Sequence, residues 1–378
     1  MQIRGKNIGS SEVMEAMETS PPAKAPRRGL FVREHEECIE VYHPDTSTGR
    51  RILFINKYGN SEQFRSWQIS GILGHHFWGC LELAAAGYHI LIPHEKPPTG
   101  AIKHRLLGDW SVGRLARQMR SDEIIYCSHN IMTWTPLMRM LGRVKARLVG
   151  LLYAKELLAL PKQYAGVIGL TSVAAARARS LASNAKVEHL GWGFDMSEQF
   201  AVCEFEPRWG LSCGITHRDW ACVAGAYRNV DHKLLITARG AKLPPMSGQI
   251  EVLRDEVRPQ TLWDELYRHA AYSLIILRPD TIQRTAVGFT NVIETMAMGR
   301  PLIKTRTGAL DDDLDIEKEG IGLYVNPGDA VGLKAAAERL WNNPAEAREM
   351  GLRGRRVAEE RYSSSIFGGR VVEFMRSL

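Results

Sequence analysis

The residues best placed to do chemistry lie between 277 and 305, in the run LRPDTIQRTAVGFTNVIETMAMGRPLIKT. An apolar, β-branched stretch ends at Leu277 and a polar loop follows. Gly288, Phe289, Thr290 and Asn291 then open a helix that carries a carboxylate at Glu294. A glycine at such a point lets the backbone come close to a diphosphate, and the helix start offers unbonded N–H groups and the positive end of a dipole. A carboxylate one turn further in accepts charge-assisted hydrogen bonds from ribose hydroxyls. The plain alternative is a turn glycine and a surface carboxylate. Against it, Glu294 stands between Ile293 and Met296 in an apolar stretch.

A site of this kind needs strands that end where helices begin, and the sequence supplies them. From about residue 50 onward, β-branched runs alternate with helical stretches, the pattern of βαβ units around a parallel sheet. Strands are expected at 51–57, 89–93, 122–130, 146–152, 166–172 and 186–192, then at 209–214, 233–238, 250–253, 272–277, 301–305 and 322–325. Helices are expected from Asn291 to Met298, near 330–342 with Asp329 as N-cap, and at 344–361 starting at Pro344. The reading is an α/β chain with two doubly wound domains. Residues 1–49 form a partly disordered tail, 50–195 the first domain and 196–361 the second, and 362–378 a helix that crosses back to the first.

The 378 residues fit two domains. The formal net charge is +7, from 49 Lys+Arg against 42 Asp+Glu. Residues 1–200 hold 25 basic and 18 acidic residues, whereas 201–378 hold 24 of each, so the excess lies in one half. Nine basic residues crowd into 101–150. That band is either a solvated face or a surface for anionic lipid or a phosphorylated acceptor, and nothing in it calls for nucleic acid. The six cysteines form no C-x-x-C pair and read as buried thiols of a reducing compartment. No signal peptide or membrane-spanning run is found. The expectation is a cytoplasmic protein able to touch the membrane inner face.

Residues 288–305, GFTNVIETMAMGRPLIKT, with 307–314, 320–351 and 358–363, resemble glycosyltransferase family 4 (glycosyl transferases group 1) in order and spacing. LGWGFDMSEQF (190–200) and SCGITHRDW (212–220) resemble its interdomain segment and the opening of its second domain. The resemblance implies the GT-B fold, two Rossmann-like domains facing a cleft, and hexose transfer from a UDP- or GDP-sugar to a hydroxyl acceptor, lipid-linked or anionic, without metal or other cofactor. It implies that Glu294 holds the ribose, that Gly288, Phe289, Thr290, Asn291 and Val292 offer backbone amides to the donor, and that Arg218 neutralises the diphosphate. Gly214, Thr216 and His217 belong to the turn before Arg218, and Val257 stands where the base is read. His129 resembles the histidine near the donor sugar, with a satisfied core histidine as the alternative. His75 and His76 follow Gly74 where the family has its acceptor-side loop, with helix capping as the alternative.

One position departs from the family. The first glutamate of its E-x7-E motif is replaced by Ala286, which leaves the anomeric outcome resting on fold and context and makes Arg284, Thr285 and Asn291 candidates for sugar contacts. The same departure keeps alive a degenerate member that binds a nucleotide sugar or a partner without transfer. Asp311, Asp312 and Asp313 suggest either a magnesium site or helix capping, and capping is the expectation. No His or Cys spacing fits zinc.

Overall fold

In the computed structural model the described residues are 29–56, 61, 62, 64, 65, 77–94, 109–128, 132–153, 158–196, 205–246, 248–255, 257, 261–281, 286–308 and 311–378. The first domain contains β1 (Phe31–Glu34), β2 (Cys38–Tyr42), β3 (Arg51–Ile55), α1 (Cys80–Ala85), β4 (His89–Pro93), α2 (Gly113–Gln118), β5 (Ile124–Ser128), α3 (Trp134–Met140), β6 (Arg147–Leu152), β7 (Tyr164–Gly169), α4 (Ser172–Leu181) and β8 (Lys186–His189). Its strands run in the order β1-β2-β4-β3-β5-β6-β7-β8. From β4 to β8 every pairing is parallel, and β1 and β2 join antiparallel at the edge. β5 and β6 are buried almost throughout, as expected of strands covered by helices on both faces.

The second domain contains β9 (Trp209–Cys213), α5 (Trp220–Ala226), β10 (Leu234–Thr237), β11 (Ile250–Leu253), a π-helix (Leu262–Tyr267), β12 (Ala270–Ile275), α6 (Phe289–Ala297), β13 (Leu302–Thr305), β14 (Gly322–Val325), α7 (Ala330–Asn342) and α8 (Pro344–Arg361). Its strand order is β11-β10-β9-β12-β13-β14, all parallel. Asp329 caps α7 by accepting from the Gly332 amide at 2.8 Å, and Pro344 opens α8, where its missing N–H costs nothing.

A last helix, α9 (Ser364–Arg376), packs on α1 of the first domain. Phe367, Val371, Phe374 and Met375 are buried, Lys186 donates to Ser377 Oγ at 2.6 Å, and Arg370 donates to the Leu190 carbonyl at 3.1 Å. The chain therefore passes between the domains twice. The two passes are stitched together where the Phe194 amide donates to the Tyr362 carbonyl and the Ser364 amide to the Phe194 carbonyl, each at 2.8 Å.

Two expectations change. The segment 31–42, read as part of a tail, supplies β1 and β2, so the first domain starts near residue 30; the disorder expected further upstream falls on residues 1–28, outside the described residues. The aspartate run caps no helix in its own segment. Asp311 closes the turn before it, accepting from the Thr307 and Gly308 amides at 2.8 and 2.7 Å and pairing with buried Lys304 at 2.6 Å. Asp313 reaches across to the first domain, where the Ser172 amide at the start of α4 donates to its two oxygens at 3.2 and 3.0 Å.

Candidate functional site

Topology marks the place before any side chain is considered. The second sheet reverses its strand order between β9 and β12, and in open parallel sheets ligands gather at the carboxyl ends of strands beside such a reversal. The loops leaving β9 and β12 there contain Gly214 to Arg218 and the start of α6.

The β9 loop turns through Gly214 (φ 80°) and His217 (φ 52°). It then runs back along the extension of β12, with Arg218 paired antiparallel to Leu277. The Asp219 amide donates to the Ile276 carbonyl at 2.9 Å, and the Arg278 amide to the His217 carbonyl at 3.0 Å. His217 Nδ1 also lies 3.0 Å from Arg278 Nη2. This frame carries the Arg218 side chain inward until it is only 5% exposed.

The guanidinium donates to the carbonyls of Thr216 (3.1 Å) and Cys213 (2.9 Å) and to Asn291 Oδ1 (2.6 Å). Its buried Nε has no partner, and among the described residues no carboxylate pairs with it. Burial pushes its pKa down to about 10, so it stays charged at neutral pH. A buried cation without a counter-ion is costly unless an anion arrives to meet it. Two glycines close around it. A Cβ on Gly214 would sit 3.2 Å from Nη2, and one on Gly288 would sit 3.7 Å from Nη1 and 2.8 Å from Ile275 Cγ2. Gly288 caps α6 at φ 85°, a conformation that disfavours side chains.

Asn291 passes the polarity on, its Nδ2 donating to Glu294 Oε2 at 3.2 Å. Glu294 is buried, and burial pushes its carboxyl up to about 7, with Asn291 and Tyr267 pulling the other way. Tyr267 comes from the π-helix, whose carboxyl end is held by buried Arg300, donating to the carbonyls of Tyr267 (2.9 Å) and Arg268 (2.6 Å). Sequence reading passes over Tyr267, because LWDELY gives no signal of π geometry.

The helix start offers fewer amides than expected. The Phe289 amide donates to the Ala286 carbonyl at 3.3 Å and the Val292 amide to the Gly288 carbonyl at 3.1 Å. Those of Thr290 and Asn291 have no acceptor among the described residues. The side chains of Phe289 and Val292 are core, the Phe289 ring standing edge-on to Trp192 at 5.2 Å and to Tyr362 at 5.8 Å.

Of the sequence candidates, Gly214, Thr216, His217, Arg218, Gly288, Asn291 and Glu294 come together in one constellation. Val257 is half-buried beside the main core on the approach to the π-helix. His75, His76, His129, Arg284 and Thr285 lie outside the described residues. Among the described residues no group of three or more His, Cys, Asp or Glu is arranged to hold a metal ion, and no helix is long and apolar enough to cross a membrane.

Neither a protein-family model nor a curated protein matches the chain. Solved structures do. The chain resembles sucrose-phosphate synthase from Thermosynechococcus elongatus with a TM-score of 0.61 at 13% identity, over 87% of this chain and 98% of that one. It resembles a UDP-forming α,α-trehalose-phosphate synthase from Burkholderia xenovorans with a TM-score of 0.63 at 12% identity, over 86% and 98%. It also resembles HepE from Anabaena, in complex with UDP and glucose, with a TM-score of 0.58 at 11% identity, over 87% and 100%. Two Rossmann-like parallel-sheet domains set face to face across a cleft, matched over nearly the full length of these structures, give the chain the GT-B fold.

Proposed function

We propose that the protein is a glycosyltransferase that moves a hexose from a UDP- or GDP-sugar to a hydroxyl acceptor in the cleft, with retention and without metal. Arg218 carries the reading. A buried guanidinium with no carboxylate partner among the described residues, held between two left-handed glycines at a switch point, suits an incoming diphosphate. In this reading Arg218 and the amides of Thr290 and Asn291 stabilise the charge that develops on the leaving diphosphate, and Glu294 accepts from the ribose hydroxyls. The bond between the anomeric carbon and phosphate oxygen breaks as the acceptor oxygen bonds on the same face. The departing phosphate oxygen takes the acceptor proton, so no protein base is required. The complex of HepE with UDP and glucose supports the donor class by analogy of fold.

Thermal-shift screening against nucleoside diphosphates and nucleotide sugars tests the reading, followed by donor hydrolysis in wild type and Glu294→Ala. Hydrolysis lost or weakened in the variant is expected; an unaltered kcat/KM sinks the assigned role. Ala286, in place of the family's acidic residue, favours a second reading in which the donor is bound and never transferred. Binding without hydrolysis or transfer across an acceptor panel would decide for it.

A further inference from the structure

A cavity of about 490 Å³ opens between α2 and α3 in the first domain, within the size range of small-molecule sites. Both helices follow strands, α2 after β4 and α3 after β5, so their N-terminal turns stand at the carboxyl end of the first sheet. The wall is unusual for a surface. Trp110 is 61% exposed, and its ring meets Trp134 edge-on at 4.9 Å. A tryptophan that open to water is poorly placed for stability alone and leaves one broad apolar face uncovered. Met138 and Val144 add apolar lining, and Ser111, Arg114 and Arg117 add polar groups.

The charges at the rim are unequal. Asp109 lines the cavity but is fully buried and already accepts the amides of Thr133, Trp134 and Thr135 at 2.9, 2.8 and 2.6 Å. The start of α3 is thereby capped, and the carboxylate is used up. Arg114 pairs with Glu37. The Arg117 side chain is exposed and makes no hydrogen bond or ion pair among the described residues. The cavity thus presents an aromatic plane, a guanidinium unpaired among the described residues and a hydroxyl at Ser111. A pyranose ring has an apolar C–H face that stacks on an aromatic plane, and a carboxylate or phosphate on that ring matches the arginine fork.

We propose that this cavity binds an anionic saccharide, its ring stacked on Trp110 and its charged substituent on Arg117, as the acceptor of the transfer. The acceptor role rests on the proposed function; binding itself does not. Fluorescence titration and ligand-detected NMR of the full chain with glucuronate, glucose 6-phosphate and glucose test it, with UDP affinity measured on the same samples. Saturable binding of an anionic sugar is expected, with a Kd of order 1 mM and roughly tenfold weaker binding of glucose. The responding sugar tells a uronate from a phosphate source. Trp110→Ala should abolish the binding, Arg117→Gln should reduce the anionic sugar to the level of glucose, and both should leave UDP affinity unchanged. Absence of saturable binding in wild type, or equal binding in Trp110→Ala, overturns the proposal. Capture of anionic vesicles that is lost in Trp110→Ala, with no sugar bound, overturns it in favour of a membrane contact. Sugar binding without UDP binding removes the transfer reading and leaves the cavity; UDP binding without sugar binding removes the cavity alone.

Discussion

Arg218 Nη2 donates to Asn291 Oδ1 at 2.6 Å and thereby ties the loop after β9 to the first turn of α6. Each residue belongs to a different arm of the switch point. The bond holds both arms at a fixed separation, and Asn291 extends the link to Glu294. Under the proposed function, preorganisation of this kind means that little would have to move to accommodate a diphosphate.

Removing the charge should separate binding from stability. Arg218→Met takes away a buried cation that has no carboxylate partner among the described residues, but it also strips the donor from the Thr216 and Cys213 carbonyls and from Asn291 Oδ1. These effects offset in part, so the unliganded melting temperature is expected to fall modestly, while the increase produced by UDP disappears. Uridine, which lacks the phosphates, should give equal shifts in both proteins. A UDP shift that survives the substitution would refute the assignment.

Gly288→Ala combines a disfavoured φ with a Cβ placed 2.8 Å from Ile275 Cγ2. Gly328→Ala has a similar φ of 75° but open space around its Cβ. The control should cost about 1 kcal/mol and Gly288→Ala roughly 1–3 kcal/mol more. Chemical denaturation measures both, and equal losses would show that the packing against Ile275 is unimportant.

The pH dependence of Glu294 has a definite sign. Its folded pKa, about 7, lies above the 4.5 of an ordinary glutamate, because burial disfavours the charged form. Its contribution to stability is present below pH 4.5 and is lost as pH rises through 7. Glu294→Gln has no such loss, so without nucleotide it should gain on wild type between pH 5 and 8, by up to about 3 kcal/mol. Affinity for UDP-glucose, whose phosphates do not titrate there, should rise from pH 6 to 8 in wild type as the carboxylate forms and stay flat in the variant. A rise of equal size in both would exclude Glu294 as the titrating group.

The Asp313 carboxylate accepts the Ser172 amide with both of its oxygens across the domain boundary. Asp313→Ala should cost ~1 kcal/mol of cap energy and loosen one domain against the other. Small-angle scattering would then report a larger radius of gyration. An unchanged scattering curve would show that the double crossing near Phe194 and Tyr362 suffices.

Much of this architecture is legible as local pattern. The strands read from alternation recur with their ends shifted by up to three residues, and the helices at 330–342 and 344–361 are where Asp329 and Pro344 announce them. β1 and β2 escape because FVRE is largely exposed edge strand and CIEVY pairs antiparallel, outside the βαβ rhythm. In the candidate site, Gly288 and Glu294 are visible because the turn and helix that hold them are contiguous. The partnership of Arg218 with Asn291 joins residues 73 positions apart, and the reach of Asp313 to Ser172 spans 141. Neither distance leaves a trace in spacing. Tyr267 depends on a π-turn, which differs from an ordinary helical turn in hydrogen bonding and not in residue type.

The return of α9 to the first domain sets an order of events during synthesis. Its apolar face, through Phe367, Val371, Phe374 and Met375, covers part of a domain whose other elements precede the whole second domain. On the ribosome, the first domain therefore waits with an uncovered greasy surface while the second emerges, and only afterwards receives its final helix. Early native-like structure in the first half has to persist unfinished, exposed to association with other nascent chains, until the two halves are completed together.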